Sequence, residues 1–173
     1  PRMELRIDSP DPQHVVGEIL TRGANVMLGY YKNPEATAAA LDNEGWYHTG
    51  DLGVLDQEGN LYIRGRSKNM LLGSNGQNIY PEEIEDKLNT LPYVMESVVI
   101  QKGEKLHALI HPDYEEAEKA GLDENALNRQ MEENRRMLNT MINAYEQIVS
   151  VKLHKEEFEK TPKRSIKRFL YTE

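Results

Sequence analysis

The chain has 173 residues, 38% hydrophobic and 29% charged, with a formal net charge of -8 and no cysteine. That is globular composition with room for one ordinary domain, or one domain and part of another, and it excludes disulfides, thiol nucleophiles and cysteine-ligated zinc. The negative balance argues against a nucleic-acid-binding surface, no apolar run approaches the roughly 20 residues that span a bilayer, and no signal peptide is visible.

In chain order, Glu4 to Ile7 and Gly17 to Thr21 read as short strands, and Asn33 to Leu41 as a short helix with Pro34 in its first turn. Val54-Leu55 and Leu61-Ile63 flank Asp56-Gln57-Glu58-Gly59-Asn60, which predicts a hairpin turning on Gly59. Pro81 opens a helix whose early glutamates, Glu82, Glu83 and Glu85, suit the positive end of its dipole; Ile84 and Leu88 share a face, and Leu91-Pro92 ends it. Val98 to Ile100 and Leu106 to Ile110 read as a strand pair around Lys102-Gly103-Glu104. Asp123 caps a long helix carrying Leu127, Met131, Leu138, Met141, Ile142 and Tyr145 at helical spacing, a stripe that reads as core. Val149, Val151 and Leu153 alternate as a last strand. The chain is thus expected to be α+β, with a boundary near Gly65 to Lys68. It starts at Pro1 rather than Met, so it reads as a piece of a longer protein.

Four segments carry chemistry. In Tyr47-His48-Thr49-Gly50-Asp51, an Asp after Gly is ordinarily a turn residue. A carboxylate there also accepts hydrogen bonds from two vicinal hydroxyls at once, the geometry of a ribose. Gly65-Arg66-Ser67-Lys68 by itself reads as a strand ending in exposed basic residues. Gly73-Ser74-Asn75-Gly76-Gln77-Asn78 by itself reads as a surface turn, since Asn-Gly favours positive φ. Basic residues cluster in Lys160-Thr161-Pro162-Lys163-Arg164-Ser165-Ile166-Lys167-Arg168, which by itself reads as a solvated tail. The histidines at 14, 48, 107, 111 and 154 show no metal-ligand spacing, and no metal site is assigned.

These motifs, in this order, together with Gly17-Glu18 to Gly23 and Gly29-Tyr30-Tyr31-Lys32-Asn33-Pro34-Glu35, resemble the adenylate-forming superfamily of acyl-CoA synthetases, peptide-synthetase adenylation domains and luciferases. The resemblance covers nearly the whole chain. It implies that residues 1–65 are the last part of a large AMP-binding domain, the end of a small β-barrel subdomain, and that residues 66–173 are a compact, mobile α+β lid. Asp51 and Arg66 match the nucleotide-binding carboxylate and arginine, Lys68 the hinge, and Gly76 the coenzyme A loop. Ile79, Pro81 and Glu85 match a structural Ile-x-Pro-x-x-Ile-Glu pattern.

The tail departs from the family. Read strictly, Ser165 stands where the family has its adenylation lysine, and a serine supplies no positive charge. Lys163 and Lys167, two residues to either side, are the candidate replacements. Glu159-Lys160-Thr161-Pro162 and the closing Lys-Arg-Phe-Leu-Tyr look most like bacterial long-chain fatty-acid–CoA ligases. The implied substrates are ATP with Mg²⁺, a fatty acid and coenzyme A; the implied partner is the remainder of the chain's own large domain. The implied setting is cytoplasmic, with peripheral membrane contact favoured by a fatty substrate. A carrier protein in place of coenzyme A, and a parent that keeps only adenylate or coenzyme A binding, stay open.

Overall fold

The computed structural model describes residues 3–172, which divide into two compact units at Met70/Leu71. In the first, β1 (Glu4–Asp8), β2 (Gly17–Arg22), β3 (Tyr47–Leu55) and β4 (Leu61–Arg66) form an antiparallel sheet in sequence order. The sheet is open, so the expected end of a barrel is here four strands with two edges. Ile7, Ile19, Leu20, Trp46, Leu52 and Val54 are its buried residues. Trp46 is flanked by the guanidinium groups of Arg6 and Arg22, 4.6 and 4.5 Å from its ring, a contact that burial of the ring strengthens. The expected hairpin turns where Asp56 accepts the N–H of Glu58 and of Asn60. Helix α1 (Pro34–Ala40) starts as read, with Asn33 accepting the Ala36 N–H.

In the second unit, β5 (Leu71–Leu72) and β6 (Asn78–Ile79) make a small hairpin that leads into α2 (Pro81–Leu88). A three-stranded sheet follows: β7 (Val94–Lys102) pairs antiparallel with β8 (Lys105–Pro112), and β8 pairs parallel with β9 (Ile148–Leu153). Between β8 and β9 run α3 (Tyr114–Lys119) and α4 (Glu124–Met141), which begins at the expected cap: Asp123 accepts the Ala126 N–H at 2.6 Å. Ile84, Leu88, Val99, Ala108, Ile110, Leu127, Met131 and Leu138 form the core between helices and sheet. On the opposite face, Val98 and Ile100 pack with Phe158, and Ile166 and Tyr171 join them. Successive strand residues point to opposite faces, so the unbroken Val98-Val99-Ile100 run marks a strand covered on both sides, by helices on one and by the C-terminal tail on the other.

The hydrophobic stripe of α4 stops earlier than its sequence spacing suggests. The helix ends at Met141; Met141 is 46% and Tyr145 39% exposed, and Tyr145 lies in a separate 3-10 turn, Ala144–Glu146. Among the described residues, no helix is long and apolar enough to cross a membrane.

The tail is fastened to the sheet by polar contacts as well. β7 is an edge strand, with its outward backbone groups in need of partners. The Val99 N–H donates to Glu85 at 2.5 Å, and the Val99 carbonyl accepts from Arg168 at 3.4 Å. Arg168 also donates to Glu85, which closes a ring of three residues from α2, β7 and the tail. Burial raises the Glu85 carboxyl to about 7, against the lowering pull of Arg168 and of the Val99 N–H. The folded chain therefore holds this proton more readily than the unfolded chain. Glu85's own contribution to stability is full below about pH 4.5 and is lost as pH rises through 7. Arg168→Ala strands a buried carboxyl. It is expected to cost about 3 kcal/mol at pH 8, where Glu85 is ionised, and clearly less at pH 5, where the carboxyl is protonated. Urea unfolding of the variant and the parent chain at both pH values measures this.

Candidate active site

The first unit builds one polar cluster, and its organiser is Glu18. From β2, one carboxylate oxygen accepts the Gly50 N–H at 2.9 Å and the other lies 2.9 Å from His48 Nδ1. Thr49 donates its hydroxyl to the Ile19 carbonyl at 2.7 Å and accepts the Asp51 N–H at 3.0 Å. Gly50 adopts φ +71, and the β2–β3 register shifts alongside it. The Tyr47–Asp51 segment is thus a bulged strand pinned by side chains from its neighbour rather than a plain ladder. Tyr30, from the Gly29-Tyr30-Tyr31 segment, hydrogen-bonds Tyr47 and raises its phenol pKa, with burial adding to the rise.

The pinned segment presents Asp51. It lies opposite Arg66 across β3 and β4, and Arg66 Nη1 reaches Asp51 Oδ1 at 2.5 Å and the Thr49 carbonyl at 3.2 Å. Both side chains are partly exposed, Arg66 47% and Asp51 35%. The guanidinium orients one carboxylate oxygen of Asp51. The structure therefore brings together two of the residues expected at a nucleotide. Lys68 sits two residues beyond Arg66 in the exposed 3-10 turn Ser67–Asn69, where the Met70 N–H bonds the Arg66 carbonyl at 3.2 Å.

In the second unit, Gly76 lies at the tip of the β5–β6 hairpin with φ +79; its N–H bonds the Gly73 carbonyl at 2.9 Å. A Cβ at this position would meet nothing within 4 Å. Within the chain, then, the turn conformation is what calls for glycine.

The tail is a hairpin. Lys160 and Ile166 form an isolated antiparallel bridge. The Arg164 N–H bonds the Thr161 carbonyl, and the Thr161 N–H bonds the Ser165 carbonyl, both at 2.8 Å. Lys163, Arg164 and Ser165 are exposed at the tip. Lys167 is not at the tip: its Nζ lies 3.0 Å from Glu159, and its N–H bonds the Glu159 carbonyl. Lys160 pairs with Glu96 at 2.8 Å. The organising contacts of Glu18 fall outside the residues expected at the site, and the quoted Gly17-Glu18 pair is the signal that points to them. Arg164 lies at the tip between Lys163 and Ser165.

A family model described as AMP-binding enzyme C-terminal domain matches residues 68–173. A 3-[(3aS,4S,7aS)-7a-methyl-1,5-dioxo-octahydro-1H-inden-4-yl]propanoyl:CoA ligase of Rhodococcus jostii is 50% identical over 100 residues, which is 58% of this chain and 18% of that protein. A probable acyl-activating enzyme 10 of Arabidopsis thaliana is 47% identical over 91 residues, 53% of this chain and 16% of that protein. Among solved structures, O-succinylbenzoate coenzyme A synthetase from Bacillus subtilis in complex with AMP matches with a TM-score of 0.74 at 26% identity, covering 99% of this chain and 34% of that one. The chain spans less than a fifth of the length of these two curated relatives.

The organising role of Glu18 is directly testable. Glu18→Ala leaves the Gly50 N–H and the His48 ring without their acceptor and is expected to destabilise the first unit by about 1–2 kcal/mol. A matching rise in amide exchange at Gly50 and Asp51, with little change in the second unit, is the expected signature.

Proposed function

The chain belongs to the AMP-binding enzyme C-terminal domain family, and on that footing we propose that it is the C-terminal portion of an ATP-dependent, AMP-forming acyl-CoA ligase. The overall reaction joins a carboxylate to ATP, giving acyl-adenylate and pyrophosphate, and then passes the acyl group to coenzyme A. The observation that carries this reading is the Asp51–Arg66 pair on its pinned bulge. Asp51 accepts hydrogen bonds from the ribose hydroxyls, and Arg66 holds the carboxylate in place beside the nucleotide. Lys68 is the hinge between the two half-reactions. Gly76 is the point where the hairpin backbone meets the pantetheine arm. Charge at the reacting phosphate is met by a cation from the tail, with Lys163 and Lys167 as the two lysines flanking Ser165. Mg²⁺ arrives with ATP; the described residues contain no cluster of three His, Asp or Glu that would hold it by themselves.

The acid is a fatty acid in this reading, supported by the Glu159-Lys160-Thr161-Pro162 stretch and the closing Lys-Arg-Phe-Leu-Tyr. A second reading rests on Ser165: a parent that binds adenylate or coenzyme A without forming the adenylate. Fatty-acid-dependent ATP–pyrophosphate exchange by the full-length parent separates the two. Exchange that falls at least about 100-fold in Asp51→Ala supports the ligase; a well-folded parent with no exchange for any acid favours the binding reading. The isolated 173-residue chain is expected to bind AMP only weakly, and calorimetry that gave micromolar affinity would contradict the division of labour proposed here.

A further inference from the structure

Resting on the ligase reading, we propose that Arg164 is the cation that contacts the reacting carboxylate and α-phosphate in this chain. The five side chains to weigh are Lys160, Lys163, Arg164, Lys167 and Arg168. Three are committed to carboxylates: Lys160 to Glu96, Lys167 to Glu159, and Arg168 to Glu82 and Glu85. Lys163 and Arg164 are exposed, and among the described residues neither side chain has a hydrogen-bond or ion-pair partner.

The backbone separates these two. Thr161 to Ser165 form a tight hairpin turn whose closing hydrogen bonds place Arg164 in the left-handed region, φ +62. That conformation suits glycine and is unfavourable for a residue with a Cβ. Two other non-glycine residues share it, and each has a visible contact in return. Tyr93 packs against the core, and the Lys32 ammonium lies 5.2 Å from the Tyr31 ring centre. Among the described residues the Arg164 side chain has no such contact; only the backbone hydrogen bonds of the turn hold the conformation. Strain held at an exposed cation whose side chain makes no contact in return is the pattern expected of a residue kept for a ligand. Lys163 occupies a central turn position where a polar residue sits without strain.

Chemistry favours the same residue. Arg164 is directly bonded to Ser165, so its Cα lies about 3.8 Å from that of the residue at the family's lysine position. Its guanidinium stays charged and offers a planar fork of donors, which matches a carboxylate oxygen and a phosphate oxygen together. As the carboxylate oxygen bonds to the α-phosphorus, the bond from phosphorus to the pyrophosphate oxygen breaks and its electron pair leaves on pyrophosphate. Arg164 moves no proton; it neutralises the negative charge gathered where these groups meet.

The test uses the full-length enzyme and two half-reactions, ATP–pyrophosphate exchange with a fatty acid and thioester formation from preformed acyl-adenylate and coenzyme A. Arg164→Gly removes the charge and relieves the backbone at once. The expected result is exchange lower by about 100-fold, thioester formation near the parent rate, and an unfolding midpoint equal to or above the parent's. Arg164→Lys restores part of the exchange, as does adding Ser165→Lys to Arg164→Gly. Parent-like exchange in Arg164→Gly overturns the assignment, as does a larger loss in Lys163→Ala than in Arg164→Gly. A parent that exchanges with no acid overturns the ligase reading itself, an outcome visible before any variant is made.

Discussion

The tail of this chain is held by one buried ring of polar groups, Glu85, Val99 and Arg168. Each member answers a physical need of another. β7 is a sheet edge and Val99 carries an outward N–H and carbonyl. Glu85 is a carboxylate in a nearly dry site and needs donors. Arg168 is a five-donor cation with its side chain only 17% exposed and needs acceptors. Closing the ring satisfies all three, where leaving any one out strands a buried polar or charged group. The apolar packing of Phe158 and Ile166 onto Val98 and Ile100 then has a fixed partner to close against. The sheet thus has two covered faces and a sealed edge, and the segment that seals it is also the one that displays cations.

The same economy governs the first unit on a smaller scale. Glu18 reaches from β2 to hold His48 and Gly50, and Thr49 ties back to the strand behind it. These contacts place the Asp51 carboxylate beside Arg66. In both units a half-buried or buried carboxylate spends its lone pairs on the scaffold so that a neighbouring charged group can face outward. A binding group on an unsupported loop would spend much of its interaction energy on being ordered. Here that ordering is already done by the strands.

What could be read in the sequence was whatever is encoded locally. The Gly59 hairpin, the Pro34 and Pro81 helix starts and the Asp123 cap depend on residues within a few positions of each other, and all appear in the structure. Asp51 and Arg66 are named by separate motifs, and their pairing follows from the adjacency of β3 and β4, which neither motif encodes. Helix α3 carries no apolar periodicity to detect, because half of Tyr114 to Lys119 is acidic and only Ala117 is buried. The overlong reading of α4 has the opposite cause: Ile142 and Tyr145 continue the spacing by chance after the helix has ended at Met141. The two-residue strands β5 and β6 are too short to carry a pattern. Glu85 was legible as a motif member, but its partner Arg168 stands 83 residues away, and no local rule connects them.

On the ligase reading proposed above, that long-range ring also decides which tail cation can stand in for the family's lysine. A slide of two residues would bring Lys163 or Lys167 to the position of Ser165. The hairpin tip is pinned on both sides, by Lys160 with Glu96 before it and by Lys167 with Glu159 and Arg168 with Glu85 after it. Ile166 is packed against the face that Phe158 covers. A slide would draw Ile166 out of that packing, turn Phe158 or its neighbours into solvent, and take Arg168 away from Glu85. The combined cost is several kcal/mol, comparable to the whole stability of a small unit. The tail is therefore fixed in register, and any charge it offers comes from side chains already at the tip. Of the residues there, Pro162 and Ser165 carry none, and the turn geometry puts Arg164 rather than Lys163 in the strained position next to Ser165. The fold that fastens the tail has in doing so narrowed the choice of cation.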